Sequence, residues 1–143
     1  MSEMIFVNLP VRDLAAARRF YEAIGARNEP KFTDETAAAM KFSDTIFFML
    51  LTHEKYRSFT PLPIADAREK SAVMLALSRD SRDAVDAAIS AGEAAGGTAD
   101  PAKPQDYGQM YLRSLLDPDG HHFELMWMAP AAAAQGASAF DNA

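Results

Sequence analysis

Period-two hydrophobicity opens this chain. Over residues 4–11 (MIFVNLPV), Ile5, Val7, Leu9 and Val11 alternate with Phe6, Asn8 and Pro10. An extended strand turns the aliphatic set to one face and Phe6 with Asn8 to the other. The period then lengthens: Leu14, Ala17, Phe20, Tyr21 and Ile24 recur at helical spacing behind Asp13, an N-cap residue, and Gly25 closes the helix. Residues 37–42 and 45–51 (TIFFMLL) read as strands around a turn at Ser43-Asp44. Residues 57–70 hold two prolines and no apolar period, and read as a linker.

The same order then returns. Residues 71–78 form a strand, Asp80 or Ser81 caps a helix over 82–94, and Gly96-Gly97 ends it. Val85, Ala88 and Ile89 share one helical face, which Gly92 continues without a side chain. Residues 110–116 and 122–128 are strands joined by Asp117-Pro118-Asp119-Gly120, a tight turn in which proline presets φ and glycine takes a positive one. Each half, about 55 residues, is too small for a good core alone. The halves share order rather than residues, so the repeat is architectural. The expected fold is α+β: a first βαβββ module (1–56), the linker (57–70), a second module (71–128) and an alanine-rich tail (129–143). The two modules form a curved mixed-sheet cup with the helices outside.

Charge and composition narrow the function. Fourteen basic against twenty acidic residues leave a net charge of −6, which argues against nucleic acid and anionic membranes as partners. The absence of cysteine excludes disulfides, thiolate metal sites and cysteine nucleophiles. No apolar run reaches the roughly 18 residues of a membrane span, and the start of the chain does not read as a signal peptide, so the expectation is a soluble cytoplasmic domain. The GxSxG, P-loop, GxGxxG and HExxH patterns are missing.

The densest chemistry lies in DPDGHHFELMW, residues 117–127. Strand parity places His122, Glu124, Met126 and Met128 on one face and Phe123, Leu125 and Trp127 on the other. A mid-strand carboxylate among methionines needs a cation, a hydrogen-bond donor or an altered pKa. Arg113, on the preceding strand, is its expected ion-pair partner. His122 at i, i+2 makes a two-ligand edge with Glu124, His121 reads as an exposed loop side chain, and His53 follows the TIFFMLL strand. A metal here would draw on His, Asp and Glu, a set suited to zinc, nickel, manganese or iron.

Two motifs carry a family resemblance: Asp13-Leu14 with Phe20-Tyr21 and Gly25 in the first half, and DPDGxxxEL from Asp117 to Leu125 in the second. Over about residues 4–128 the chain resembles the vicinal oxygen chelate superfamily (glyoxalase I, bleomycin-resistance proteins and extradiol dioxygenases), and within it the glyoxalase-like or lactoylglutathione lyase-related proteins. The resemblance implies paired βαβββ modules whose cup, in active members, holds a divalent metal on two ligands from each module. Carried over by position, those ligands fall on Phe6, Met49, Val73 or Met74, and Glu124; the last alone is a metal ligand.

Three readings follow. In the first, a glyoxalase-like lyase or isomerase acts on a small oxygenated substrate, with Glu124 as base or metal ligand and the metal completed by His122, His53 or water. In the second, the cup is a metal-free, bleomycin-resistance-like binding site walled by Phe6, Met49, Met110 and Met126, with Asn8 and Glu124 as polar handles and Arg113 beside them. In the third, the methionines are core and no ligand binds. The cofactor is thus a divalent metal or none, the partner a small molecule, and the resemblance implies a homodimer, although one chain already has the modules for a complete cup. Specificity is expected from residues 26–36, 57–70 and 98–109, with Tyr56 and Tyr107 able to meet an anion or an aromatic ring.

Overall fold

The computed structural model describes residues 2–140. Its first half runs β1 (Ile5–Val11), α1 (Leu14–Ala23), β2 (Arg27–Glu29), β3 (Ala37–Lys41), β4 (Ile46–Thr52) and the short α2 (His53–Arg57). The second runs β5 (Met74–Ser78), α3 (Arg82–Ala94), the two-residue strands β6 (Thr98–Ala99) and β7 (Gln105–Asp106), then β8 (Met110–Leu116) and β9 (His122–Met128). The tail, read as having little to bury, forms α4 (Pro130–Gln135), and its Ala132 is buried. Residues 141–143 lie outside the described part.

The helices start where the sequence places them. Asp13 accepts the amide of Ala16, and Ser81, rather than Asp80, accepts that of Ala84, so each satisfies an N-terminal donor. Sheet order is β1-β4-β3-β2 in the first half and β5-β9-β8-β6 in the second, with β7 on β8. β1 runs parallel to β4 and β5 parallel to β9; the other pairs are antiparallel. The α+β class and the pairing of two similar modules are those expected, with the short β7 added to the βαβββ order of the second half, and both sheets are open.

Each helix covers the aliphatic face of its own sheet, and the two covered faces meet in one core. Phe48 of β4 and Phe123 of β9 are 5.5 Å apart between ring centroids, and Tyr21 of α1 meets Phe123 edge-on at 5.7 Å. At Gly92, α3 lies close against β8: a Cβ there would lie 2.5 Å from Leu115 Cδ2.

The DPDG turn is also a clasp between halves. Buried Asp117 accepts the Tyr21 hydroxyl at 2.7 Å and the amides of Asp119 and His121. Burial holds its carboxyl above the usual carboxylate range, and burial followed by the Asp117 charge pushes Tyr21 well above the usual phenol range. Asp119 accepts the backbone amide of Arg12 at 2.9 Å and its guanidinium at 3.2 Å. His121, expected in open solvent, is half-buried instead, its Nε2 2.8 Å from the Pro10 carbonyl that fixes the ring. From β5's end, Arg79 donates to the Ile24 carbonyl at 2.6 Å, placing a cation at the negative end of α1.

Candidate functional site

Register fixes which side chains share the faces that the helices leave open. On the first sheet Phe6 lies opposite Phe47 and Asn8 opposite Met49, and the Phe6 and Phe47 rings stack at 4.9 Å. On the second, Met74 lies opposite His122 and Ala76 opposite Glu124, while β8 brings Ser114 opposite Glu124 and Met110 opposite Met128. Phe6, on the edge strand β1, is 52% exposed and Met74, on the edge strand β5, is 63% exposed, a large apolar surface left uncovered. A cavity of about 360 Å³ lies over the first face, walled by Asn8, Leu51, Tyr56, Phe59 and Thr60.

The registers also relate the two halves. Phe6 opposite Phe47, with Met49 two residues further, repeats as Met74 opposite His122, with Glu124 two residues further. The four equivalent open-face positions are therefore Phe6, Met49, Met74 and Glu124. This places Met74, rather than Val73, at the position left open between them, because Met74 starts the paired strand.

Glu124 is half-buried, and its nearest basic atom is His122 Nε2 at 3.9 Å, beyond hydrogen-bond reach. That nitrogen is itself buried without a hydrogen-bond partner. Arg113 does not supply the missing charge. It lies opposite Leu125 on the helix-covered face, where it binds Asp100 through two bonds of 3.0 and 2.6 Å and Asp86 at 2.9 Å. Alternation along β8 sends Ser114 to Glu124 and Arg113 the other way. Asp86, which also accepts the Tyr111 hydroxyl, is held below the usual carboxylate range by those bonds, and Arg113 is raised above its usual value by the Asp100 carboxylate.

Of the residues expected at the site, Phe6, Asn8 and Met49 share the first open face, and Met110, His122, Glu124 and Met126 share the second. His53 opens α2 and shares a small crevice with Arg12, Ile64 and Asp119. Tyr56 borders the first face, and Tyr107 donates its hydroxyl to Gln105. Phe47, equivalent to His122, went unsingled in the sequence because only the β1–β4 register ranks it above its neighbours.

A divalent ion such as zinc takes four nitrogen, oxygen or sulfur ligands. Phe6 offers hydrocarbon, and the thioethers of Met49 and Met74 are poor donors to a hard ion. Among the described residues no three His, Asp or Glu side chains come together. The donor set does not fit such a metal, and adding the same four positions from a second copy would not change its chemistry.

The model of the Glyoxalase/Bleomycin resistance protein/Dioxygenase superfamily matches residues 4–125. Among solved structures, a hypothetical protein from S. aureus is 22% identical with a TM-score of 0.73, covering 89% of this chain and 94% of its own. A glyoxalase/bleomycin resistance protein/dioxygenase family enzyme from Burkholderia phytofirmans PsJN is 21% identical, TM-score 0.70, covering 89% and 99%. A bleomycin resistance determinant encoded on the transposon Tn5 is 19% identical, TM-score 0.60, covering 89% and 98%. No curated protein sequence matches the chain.

Proposed function

Because this chain belongs to the glyoxalase/bleomycin resistance protein/dioxygenase superfamily, we propose that it is a small-molecule-binding member whose cup works without a metal ion. The observation that carries this reading is the chemistry of the four equivalent positions: an aromatic ring, two thioethers and one carboxylate. Such walls suit an organic ligand with an apolar body, since binding pockets are mostly apolar with a few convergent polar groups. Methionine side chains adapt to varied shapes. Glu124, without a hydrogen bond from any described residue, is the handle for a cationic or hydrogen-bond-donating group on that ligand. Asn8, whose amide reaches only the Phe6 carbonyl at 3.4 Å, is a second.

The lyase or isomerase reading keeps one point of support, since a carboxylate on an open sheet face can serve as a general base. Two measurements separate the readings. Elemental analysis of untagged protein before and after chelation is expected to find no stoichiometric divalent ion. A thermal-shift screen of organic amines is expected to give ligands whose affinity falls about tenfold in Glu124→Gln, as loss of one charged contact implies. A bound ion, or metal-dependent turnover abolished by the same variant, would favour the lyase.

A further inference from the structure

The outer edge of the second sheet is interrupted beside Glu124. β6 ends with Ala99 opposite Leu115 and β7 begins with Gln105 opposite Leu112, so residues 100–104 face only Arg113 and Ser114 of β8. An ordinary bulge sets two residues against one; here five stand against two. Asp100, at φ +51°, turns the chain out of the strand. That left-handed conformation is uncommon for a residue with a Cβ, and two ties offset it. The Asp100 amide donates to the Ser114 carbonyl at 2.9 Å, and Arg113 holds the carboxylate from the helix-covered face. Ser114 ties the segment from the open face. Its Oγ accepts the Ala102 amide at 3.1 Å, and its hydroxyl donates to the Ala102 carbonyl at 3.2 Å. Pro101 and Pro104 fix φ within the segment, which stands as a rim stitched to both faces of β8.

We propose that Ser114 is a positioning residue of the ligand site, and that the rim it holds limits the width of the group that reaches Glu124. The proposal rests on the reading of Glu124 as the ligand's handle. Register puts Ser114 directly opposite Glu124 on the same face, where paired side chains stand about 4.5–5.5 Å apart at Cβ. A serine so placed is a natural internal donor for the carboxylate. It has one proton, however, and gives it to Ala102, which leaves Glu124 for a group that arrives from outside. Ser114 is buried on the face that α3 does not cover, while Glu124 across from it is only half-buried. The rim bonded to Ser114 accounts for that burial and leaves the neighbouring carboxylate accessible.

The test titrates the full chain with n-hexylamine and with the wider dicyclohexylamine by calorimetry, and follows the Ala102 amide by hydrogen exchange. The parent protein is expected to prefer n-hexylamine. Ser114→Ala removes the acceptor of the Ala102 amide, whose exchange is expected to quicken about tenfold, and the preference for the narrow amine to shrink about fivefold. Asp100→Asn, which tolerates the left-handed conformation and loosens the segment from the other face, is expected to shrink it in the same direction. Tyr21→Phe, which removes a buried hydrogen bond elsewhere, leaves the preference as it was. Rim variants that melt earlier but keep the parent preference would make Ser114 structural only and overturn the proposal. So would unchanged exchange at Ala102, or an equal loss of preference in Tyr21→Phe. Binding that is lost in Glu124→Gln yet indifferent to Ser114→Ala strikes the rim alone; failure of both amines to bind strikes the Glu124 reading and the rim with it.

Discussion

Tyr21 and Asp117 form a buried pair: burial, and after it the Asp117 charge, raises the phenol, while burial raises the carboxyl and the Tyr21 hydrogen bond works against that rise. The native state keeps the Tyr21 proton more tightly than the unfolded chain does. Its contribution to stability is therefore complete below the unfolded phenol pKa of about 10 and is lost as pH rises from there through the folded value. Asp117 has the same sign at the acid end: its raised folded pKa favours the native state below the unfolded carboxylate value and ceases to do so as pH rises through the folded one. Tyr21→Phe is expected to cost about 1–3 kcal/mol at neutral pH, by removing a donor from a buried carboxylate. It should also flatten the loss of stability above pH ~10 in denaturant titrations; an unchanged alkaline limb would contradict the account. The sequence marks DPDG as a turn and Tyr21 as a core position, but nothing local says that they meet. Parity likewise puts Glu124 on an open face from its own strand alone. The fate of Arg113 depends on how β8 registers against β9, which is a property of the pair.

Among the elements, those with long apolar periods were legible: both main helices and β1, β4, β8 and β9. The ones that escaped are short. β6 and β7 have two residues each and exist through their pairing with β8, and five-residue α2 depends on the Thr52 cap more than on any pattern. Gly97 shows how an element's end can carry a tertiary duty. It was expected merely to help stop α3, yet a Cβ there would lie 2.5 Å from the Phe20 ring and 2.6 Å from the Leu116 carbonyl oxygen. Since one of those atoms is backbone, Gly97→Ala is expected to destabilise by about 1–3 kcal/mol. Gly108→Ala, with open space around it, should cost only its positive-φ strain. Chemical denaturation of the two variants provides the comparison.

At the scale of the molecule, β1 and β5 are both sheet-edge strands, and they carry exposed Ile5, Phe6 and Met74. Unpaired edges with apolar side chains are a liability that a second chain can cover. We propose that the open faces of two copies meet in a homodimer, which would cover that exposure. Sedimentation equilibrium is expected to give twice the chain mass, and Met74→Asp to give a folded monomer; a monomeric parent protein would remove this account. The duplicated order of elements suggests two separable pieces, but the shared core says otherwise. Phe48, Tyr21 and Phe123 bury one another across the halves, and Arg79 finishes a helix that belongs to the other half. A recombination event that lifted either half out through the linker would carry away half of a hydrophobic interior with no counterpart. The two halves therefore fold as one unit: a change on either packing surface has to be matched on the other.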